Sequence, residues 1–418
     1  MSSIIVTGGR PLTGSVRVAG AKNSALKLMA AALLAPGESV IRNVPEISDV
    51  QVMAEVLEHL GARVGRDGDV LSIDAGDITS VETPYELVAQ MRASIVVLGP
   101  LVARFGRARV AMPGGCNIGS RKIDMHVHGL EQLGAHIEFE HGYIEASAPE
   151  GLTGAHVILD FPSVGATENL LMAAVLASGV TTIENAAREP EIGDLVDMLV
   201  AMGASIVGRG SSTLKVTGVD ALAPAEHATV GDRIEAGTFL AAAAITGGEV
   251  TVSGFDPAHL EMVITKMRQA GCTFELGPDR ATVRREGALR PVDVATLPFP
   301  GFPTDMQAQF MAMMAIADGA CLITENVFEN RFMFADELKR MGADIDIEGH
   351  RALVRGVAKL EGAPVRSPDL RGGAALVLAG LAAEGETRVT DVHHIVRGYE
   401  DFAGKLAVLG AGVRMEDD

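Results

Sequence analysis

The phrase LGARV (residues 60–64) returns, slightly altered, at five further places in this chain of 418 residues. Its other copies are LGAHI (133–137), MGASI (202–206), AGCTF (270–274), MGADI (341–345) and LGAGV (409–413). Each copy follows a helical pattern, and its glycine fits a helix C-cap, where a left-handed backbone is easy only for glycine. The glycines lie 68 to 73 residues apart, so the chain consists of six repeats.

The third repeat shows the order of elements most clearly. AHVILDF (155–161) and VTTIENA (180–186) read as strands, and between them ATENLLMAAVLAS (166–178) is an apolar helix. EIGDLVDMLVAMG (191–203) is an amphipathic helix that runs to the recurring glycine. The pattern therefore predicts strand, buried helix, strand, surface helix and strand in each repeat of an α/β protein.

One such repeat cannot bury both its faces, so the repeats must pack together, and three plus three is the natural division. The stretch 221–233 is small, polar and contains proline, which makes it the best candidate for a linker between two halves. Two halves with a cleft between them suit a ligand that has to be shielded from water.

The amino-acid composition limits the classes of partner and the cellular location that we expect for this protein. The chain has 54 acidic and 35 basic residues, a net charge of −19, which argues against nucleic-acid or anionic-membrane partners. No apolar run reaches the length of a membrane span, and the first residues do not resemble a signal peptide, so we expect a cytoplasmic protein. The three cysteines are too far apart for a zinc pattern or a disulfide framework.

The loop PGGCNIGSRKIDMH (113–126) is the richest candidate site. Cys116 lies among glycines near Arg121 and Lys122, so a lowered pKa would make it a nucleophile or an acid. An unreactive thiol is the alternative, and composition does not separate the two. Cys272 and Cys321 lie in apolar strand patterns and are predicted to be core residues.

Charged residues beside the apolar helices have two interpretations each. Lys22, with Asn23, can meet an anion at a helix N-terminus or simply face solvent. Arg92, inside an apolar helix, needs either a carboxylate or a ligand. Asp305, after two prolines, is either a helix N-cap or a rigidly held base.

Further charges occupy loops that flank helices in the last two repeats. They are Arg331, Asp369, Arg371 and Arg397. Several arginines in an acidic protein indicate a doubly anionic ligand that carries phosphate and carboxylate. No third ligand at metal spacing accompanies His126, His128, His393 and His394, so we interpret these histidines as structural.

Nine motifs together resemble the UDP-N-acetylglucosamine enolpyruvyl transferase family. They are GAKNSALKLMAAALLA (20–35), MRASIVVLGPLVARFG (91–106), the loop 113–126, SVGATENLLMAA (163–174), ENAAREPEI (184–192), GDRIEAGTFL (231–240), FPTDMQAQF (302–310), ENVFENRFMF (325–334) and HHIVRGYED (393–401). The resemblance implies two inside-out α/β barrel domains of three repeats each, residues 21–229 and residues 1–20 with 230–418. EPSP synthase shares this fold.

The resemblance also implies the reaction, the opening step of peptidoglycan precursor synthesis. The 3′-hydroxyl of UDP-N-acetylglucosamine adds to C2 of phosphoenolpyruvate, and phosphate then leaves. Cys116 matches the proton donor that fosfomycin alkylates, and Asp305 matches the base. The other matches bind substrate: Lys22, Arg121, Arg331, Arg371 and Arg397 on phosphoenolpyruvate, and Asn23, Arg92, Arg121, Lys122, Ile123, Asp124, Met125, Ser163, Val164, Gly165 and Val327 on the sugar nucleotide, with Asp369 also in the site. No metal or organic cofactor is implied.

Two departures from the family pattern keep alternatives open. Ser48 and Phe161 stand where many members have lysine, so a paralogous enolpyruvyl transferase acting on another uridine nucleotide is the alternative function. A catalytically idle protein that retains the fold is a third hypothesis. Retention of Lys22, Cys116, Asp305 and Arg397 argues against it.

Overall fold

The computed structural model describes residues 2–112 and 123–417, with the side chains of Gln90 and Arg92 excepted. Its contacts divide them into two compact units. One unit holds residues 2–19 and 231–417, and the other holds residues 20–112 and 123–230. The chain thus passes from one unit to the other at Ala19–Gly20 and at Val230–Gly231.

The helices of the described residues, in chain order, are α1 (Lys22–Ala31), α2 (Ser48–Leu60), α3 (Tyr85–Gln90), α4 (Leu98–Phe105), α5 (Asp124–Gln132), α6 (Val164–Ala174), α7 (Pro190–Ala201), α8 (Arg233–Thr246), α9 (Glu261–Gln269), α10 (Gln307–Met314), α11 (Ala335–Arg340), α12 (Leu370–Ala382), α13 (His393–Val396) and α14 (Phe402–Val408). Short 3₁₀ helices occupy Ala32–Leu34, Arg92–Val97, Pro257–Leu260 and Thr304–Met306.

The strands, in the same order, are β1 (Ser2–Thr7), β2 (Thr13–Arg17), β3 (Glu38–Arg42), β4 (Arg63–Asp67), β5 (Val70–Asp74), β6 (Arg107–Ala111), β7 (His136–Glu140), β8 (Tyr143–Ser147), β9 (His156–Ile158), β10 (Val180–Glu184), β11 (Ser205–Val207), β12 (Thr213–Thr217), β13 (Glu226–Ala228), β14 (Glu249–Ser253), β15 (Cys272–Leu276), β16 (Arg280–Arg285), β17 (Val294–Ala295), β18 (Ala320–Thr324), β19 (Asp344–Glu348), β20 (Arg351–Arg355), β21 (Pro364–Arg366), β22 (Glu386–Thr390) and β23 (Gly412–Asp417).

Each repeat builds one small sheet of the same design. In the third repeat the order is β11-β12-β10-β9, with β9 parallel to β10 and the other pairs antiparallel. The sheet of the second repeat has three strands, and a parallel bridge between Glu82 and Arg109 stands in for the missing edge. The first and last sheets are completed by distant segments, since β13 pairs with β3, and β1 lies between β22 and β23.

The prediction of one strand after each surface helix was wrong for the first five repeats, because a two-stranded hairpin follows there, whereas in the last repeat β23 alone follows α14 and pairs with β1. Between β7 and β8, His141 and Gly142 have φ values of 50° and 83°. A two-residue loop with both φ values positive is a type I′ turn, which matches the twist of a hairpin. The turn takes only two residues, His141 and Gly142, so the sequence offers little that separates the two strands it joins.

The prediction of a linker over 221–233 was also partly wrong. Glu226–Ala228 forms the edge strand β13, and Asp232 accepts hydrogen bonds from the N–H groups of Ile234 and Glu235 as the N-cap of α8. Backbone N–H and C=O groups need partners, and a parallel sheet edge and a helix cap supply them here.

The glycine caps and the buried helices are confirmed. The six recurring glycines have φ values from 90° to 107°. After α2, the N–H of Gly61 bonds to the carbonyl of Glu58 and that of Ala62 to the carbonyl of Leu57, which is a Schellman motif. The helices α6, α8, α10 and α12 are buried along nearly their whole length. Each unit has its own apolar core.

Candidate active site

Asp305 lies between two buried arginines in the unit that holds residues 2–19 and 231–417. Nη2 of Arg331 is 2.8 Å from its Oδ1, and Nη2 of Arg371 is 3.1 Å from its Oδ2. The interpretation of Asp305 as a helix N-cap was wrong, because the N-cap positions belong to Pro303 and Met306. Both carboxylate oxygens instead face guanidinium groups, which orient the carboxylate.

Arg371 is 2% exposed, and its environment suits a charged ligand. Burial opposes its charge, but the facing Tyr399 and Asp305 outweigh burial and raise the pKa of the guanidinium. Cζ of Arg371 lies 5.2 Å from the centre of the Tyr399 ring. Its Nε and Nη1 have no hydrogen-bond acceptor within the described part of the chain. Buried donors of this kind are expensive unless something accepts from them.

Asp369 is an N-cap. Its Oδ1 accepts hydrogen bonds from the N–H groups of Arg371 (2.9 Å) and Gly372 (3.1 Å), so it sets the start of α12 and thereby places Arg371. Arg397 follows α13, and its charge contributes, after burial and His393, to the lowered pKa of His394.

Lys22 opens α1 in the other unit and is 9% exposed. Its Nζ lies 2.8 Å from Oδ2 of Asp49, so the interpretation as a solvent-facing lysine was wrong. Lys27, one turn later, donates to the carbonyl of Asn23 and lies 3.5 Å from Glu168 of α6. The first turn of α1 is therefore fixed by its own lysines.

The first turns of α5 and α6 meet in the same unit. Asn169 of α6 contacts Nδ1 of His126 at 2.9 Å and donates to the carbonyl of Ile95 at 3.0 Å. A β-carbon at Gly165 would lie 3.2 Å from Cε1 of His126, so the turn before α6 packs directly on this ring. Ser163 caps α6 by accepting from the N–H of Ala166.

The predicted sugar-nucleotide residues of this unit thus fall into adjoining segments. Ile123, Asp124 and Met125 lie at the start of α5, and Ser163, Val164 and Gly165 lie at the start of α6. Helix N-termini present N–H groups to anions, which suits a diphosphate. Arg92 begins the 3₁₀ helix joined to α6 through Ile95 and Asn169.

Three predicted residues, Cys116, Arg121 and Lys122, lie outside the described residues. Of the other cysteines, Cys272 and Cys321 are each 4% exposed, and burial raises the pKa of each thiol to about 11, which confirms them as core residues. Within residues 2–112 and 123–417, no group of three or more His, Cys, Asp and Glu side chains has the arrangement of a metal site.

Comparison with known proteins identifies the family. The family model of EPSP synthase (3-phosphoshikimate 1-carboxyvinyltransferase) matches residues 6–406. A UDP-N-acetylglucosamine 1-carboxyvinyltransferase of Mycolicibacterium paratuberculosis is 56% identical over 409 residues, 98% of each chain, and one of Trichlorobacter lovleyi is 53% identical over 416 residues, 99% of each. The chain belongs to this family of carboxyvinyltransferases.

Solved structures of carboxyvinyltransferases agree with the fold. The enolpyruvyl transferase NikO of Streptomyces tendae superposes with a TM-score of 0.89 at 27% identity, over 99% of this chain and 98% of that one. An EPSP synthase of Acinetobacter baumannii superposes with a TM-score of 0.76 at 18% identity over the whole of both chains, a likeness of fold alone. The chain therefore has the α/β enolpyruvyl transferase fold.

Sequence reasoning missed several partners in this carboxyvinyltransferase. They are Asp49 beside Lys22, Asn169 between α5 and α6, and Glu325, which lies near Asp305 and is treated below. Asn169 and Glu325 sit within quoted motifs, but only the fold shows which groups they contact. No helix in the described part of the chain has both the length and the apolar character needed to cross a membrane.

Proposed function

We propose that this chain transfers the enolpyruvyl group of phosphoenolpyruvate to the 3′-hydroxyl of UDP-N-acetylglucosamine and releases phosphate, the first committed step of peptidoglycan precursor synthesis. The observation that carries the proposal is the 52–56% identity, over at least 98% of each chain, to curated proteins whose name states both the transferred group and the acceptor. The same names count against another uridine nucleotide as acceptor.

Addition and elimination divide the chemistry among a few residues. Asp305 takes the proton of the sugar hydroxyl as its oxygen attacks C2 of phosphoenolpyruvate, and Cys116 protonates C3. Loss of a proton from C3 then restores the double bond as the C2–O bond to phosphate breaks. Lys22, Arg121, Arg331, Arg371 and Arg397 offset the charges of phosphate and carboxylate.

The geometry in each unit supports these roles. Arg331 and Arg371 hold the Asp305 carboxylate from both sides, so that it is oriented before substrate arrives. Nε and Nη1 of Arg371, which have no acceptor among the residues that the structure describes, suit the carboxylate of phosphoenolpyruvate. The adjoining helix starts at Ile123–Met125 and Ser163–Gly165 suit the diphosphate of the nucleotide, with Asn23, Arg92, Lys122 and Val327 as further contacts.

The same proposal includes finer expectations about the fold and the cell. We expect two inside-out α/β barrels, one formed by residues 21–229 and the other by residues 1–20 with 230–418. Helices α1, α4 and α6 would lie at the centre of the first barrel, and helices α8, α10 and α12 at the centre of the second. The buried faces of these helices support this arrangement. We also expect a cytoplasmic enzyme without a cofactor, and fosfomycin as a covalent inhibitor at Cys116.

Phosphate release tests the function directly. Purified protein with phosphoenolpyruvate should release phosphate only when UDP-N-acetylglucosamine is present, and mass spectrometry should detect the enolpyruvyl nucleotide. Other uridine nucleotides, assayed in parallel, are expected to support release poorly. Release with another nucleotide but not with UDP-N-acetylglucosamine would assign the alternative acceptor, and absence of release with all of them would favour the idle scaffold.

A further inference from the structure

Glu325 is a buried carboxylate directly after β18. It is 2% exposed, and four donors surround it. Its Oε1 accepts from Oγ1 of Thr296 (2.8 Å) and from the N–H groups of Val327 (2.8 Å) and Phe328 (3.1 Å). Its Oε2 accepts from Oγ1 of Thr304 at 2.9 Å. The two oxygens therefore hold different segments.

The segments held by Glu325 both carry residues of the proposed site. On the Oε1 side, the bonds to Val327 and Phe328 close the turn that leads to Arg331. On the Oε2 side, Thr304 begins the 3₁₀ helix in which Asp305 is the next residue. The side chain of Glu325 thus links the turn that contains Val327, the proposed sugar contact, to the turn that contains Asp305, the proposed base.

The hydrogen bonds of Glu325 compensate the free energy that burying its carboxylate costs. Within the described residues, the partners of Glu325 are two hydroxyls and two amides, with no cation among them. A buried carboxylate without a counter-ion is tolerated only when hydrogen bonds satisfy it. An apolar side chain in its place would leave both amides and the Thr304 hydroxyl without the partner that Glu325 provides, and Thr296 would keep only the bond that its Oγ1 accepts from the N–H of Asn326. The two segments would therefore lose their common anchor.

We infer that Glu325 is a positioning residue for the transfer reaction, which holds Asp305 and the Val327 turn in one fixed geometry. The inference rests on the proposed function. Glu325 acts on Asp305 through Thr304 and not by touching substrate. A general base has to sit within hydrogen-bond reach of its proton, and a displacement of about 1 Å can cost a factor on the order of 10².

Thr304→Val tests the Asp305 branch most directly, because it removes only the bond to Oε2 and keeps the shape of the side chain. We expect kcat to fall by about tenfold while the KM for UDP-N-acetylglucosamine changes less than about twofold. Thr304→Ser retains the hydroxyl and should restore kcat. Thr251→Val is the matched control, since it removes a hydroxyl bond to Thr282 in the β14–β16 sheet.

A double-mutant cycle separates positioning from direct contact. If Thr304 acts through Glu325, Thr304→Val should add nothing to the kcat loss of Glu325→Met. Multiplied losses would mean that Thr304 touches substrate itself, and would overturn the inference. Glu325→Gln should remain within a few fold of the wild type, because its amide oxygen can replace Oε1 and its NH₂ can donate to Thr304.

The wild-type assay distinguishes the two possible failures. Absence of nucleotide-dependent phosphate release in the unaltered protein would refute the proposed function before any variant is made. Normal release with a Thr304→Val variant of unchanged kcat would leave the proposed function intact and refute the positioning role of Glu325. A kcat loss in Thr304→Val that Thr304→Ser does not rescue would refute it as well.

Discussion

Nη2 of Arg331 lies 2.8 Å from Oδ1 of Asp305, and the arginine side chain is only 3% exposed. A buried guanidinium needs this carboxylate, and the carboxylate owes its orientation to the guanidinium. Because Arg371 contacts the other oxygen, Oδ2, Asp305 stabilises two buried arginines in addition to its proposed role as the base. Any substitution at Asp305 therefore acts on stability and on turnover together, and the two have to be measured separately.

Asp305→Asn separates these effects best. Its amide keeps the size and one acceptor oxygen, and we expect turnover to fall by a factor on the order of 10²–10⁴, as for loss of a general base. Asp305→Ala should lose the same activity but also destabilise the protein by on the order of 3 kcal/mol, since two buried arginines lose their partner. Urea unfolding beside steady-state kinetics measures both. Turnover at the wild-type rate in the Asp305→Asn variant would exclude Asp305 as the general base.

The cysteines give a prediction that needs no assay of activity. Because Cys272 and Cys321 are buried with a pKa of about 11, a Cys116→Ser variant should take up no iodoacetamide at pH 8 when folded, and two equivalents in urea. Fosfomycin with UDP-N-acetylglucosamine should add one adduct to the wild type and none to the variant. An adduct on the folded variant would contradict the assignment to Cys116.

Local signals and tertiary contacts account for what the sequence could and could not predict. The glycine after each surface helix was predictable because a left-handed residue at that point favours glycine whatever surrounds it. The sequence could not decide whether Asp305 is a helix cap or a rigidly held base, because Arg331 and Arg371 come from elements 26 and 66 residues away. The strand β13 looked like a linker for the same reason, since its partner β3 lies at the other end of the unit.

Phe161→Lys should add a cation beside the turn that is proposed to bind the diphosphate. Phe161 is 38% exposed and lies two residues before Ser163, the N-cap of α6. If this turn binds the diphosphate, the lysine should lower the KM for UDP-N-acetylglucosamine by about two- to fivefold, as expected for an exposed ion pair of about 0.5–1 kcal/mol. The gain should disappear in 0.5 M salt, because exposed charges are screened. Phe161→Gln is the uncharged control, and an equal gain there would contradict the electrostatic explanation.

Glu168 makes stability depend on pH. Burial in α6 raises its pKa to about 7, against the opposing charge of Lys27, and Glu191 and Glu189 raise it further. Between its ordinary pKa of 4.5 and about 7, the folded protein keeps a proton that the unfolded chain has released. The stability present below pH 4.5 is therefore lost as the pH rises through about 7. Glu235 acts in the same direction.

Glu168→Gln should remove this pH-dependent loss of folding stability, because glutamine has nearly the size of glutamate and does not ionise. We expect the variant to match the wild type near pH 5 and to be more stable at pH 8, by on the order of 3 kcal/mol in the free energy of unfolding. Urea unfolding at pH 5, 6.5 and 8 measures the difference. Glu249→Gln, which breaks an exposed pair with Arg284, is the matched control and should show a difference that does not change with pH. A Glu168→Gln variant that becomes less stable than the wild type as the pH rises would mean that the pair with Lys27 outweighs burial.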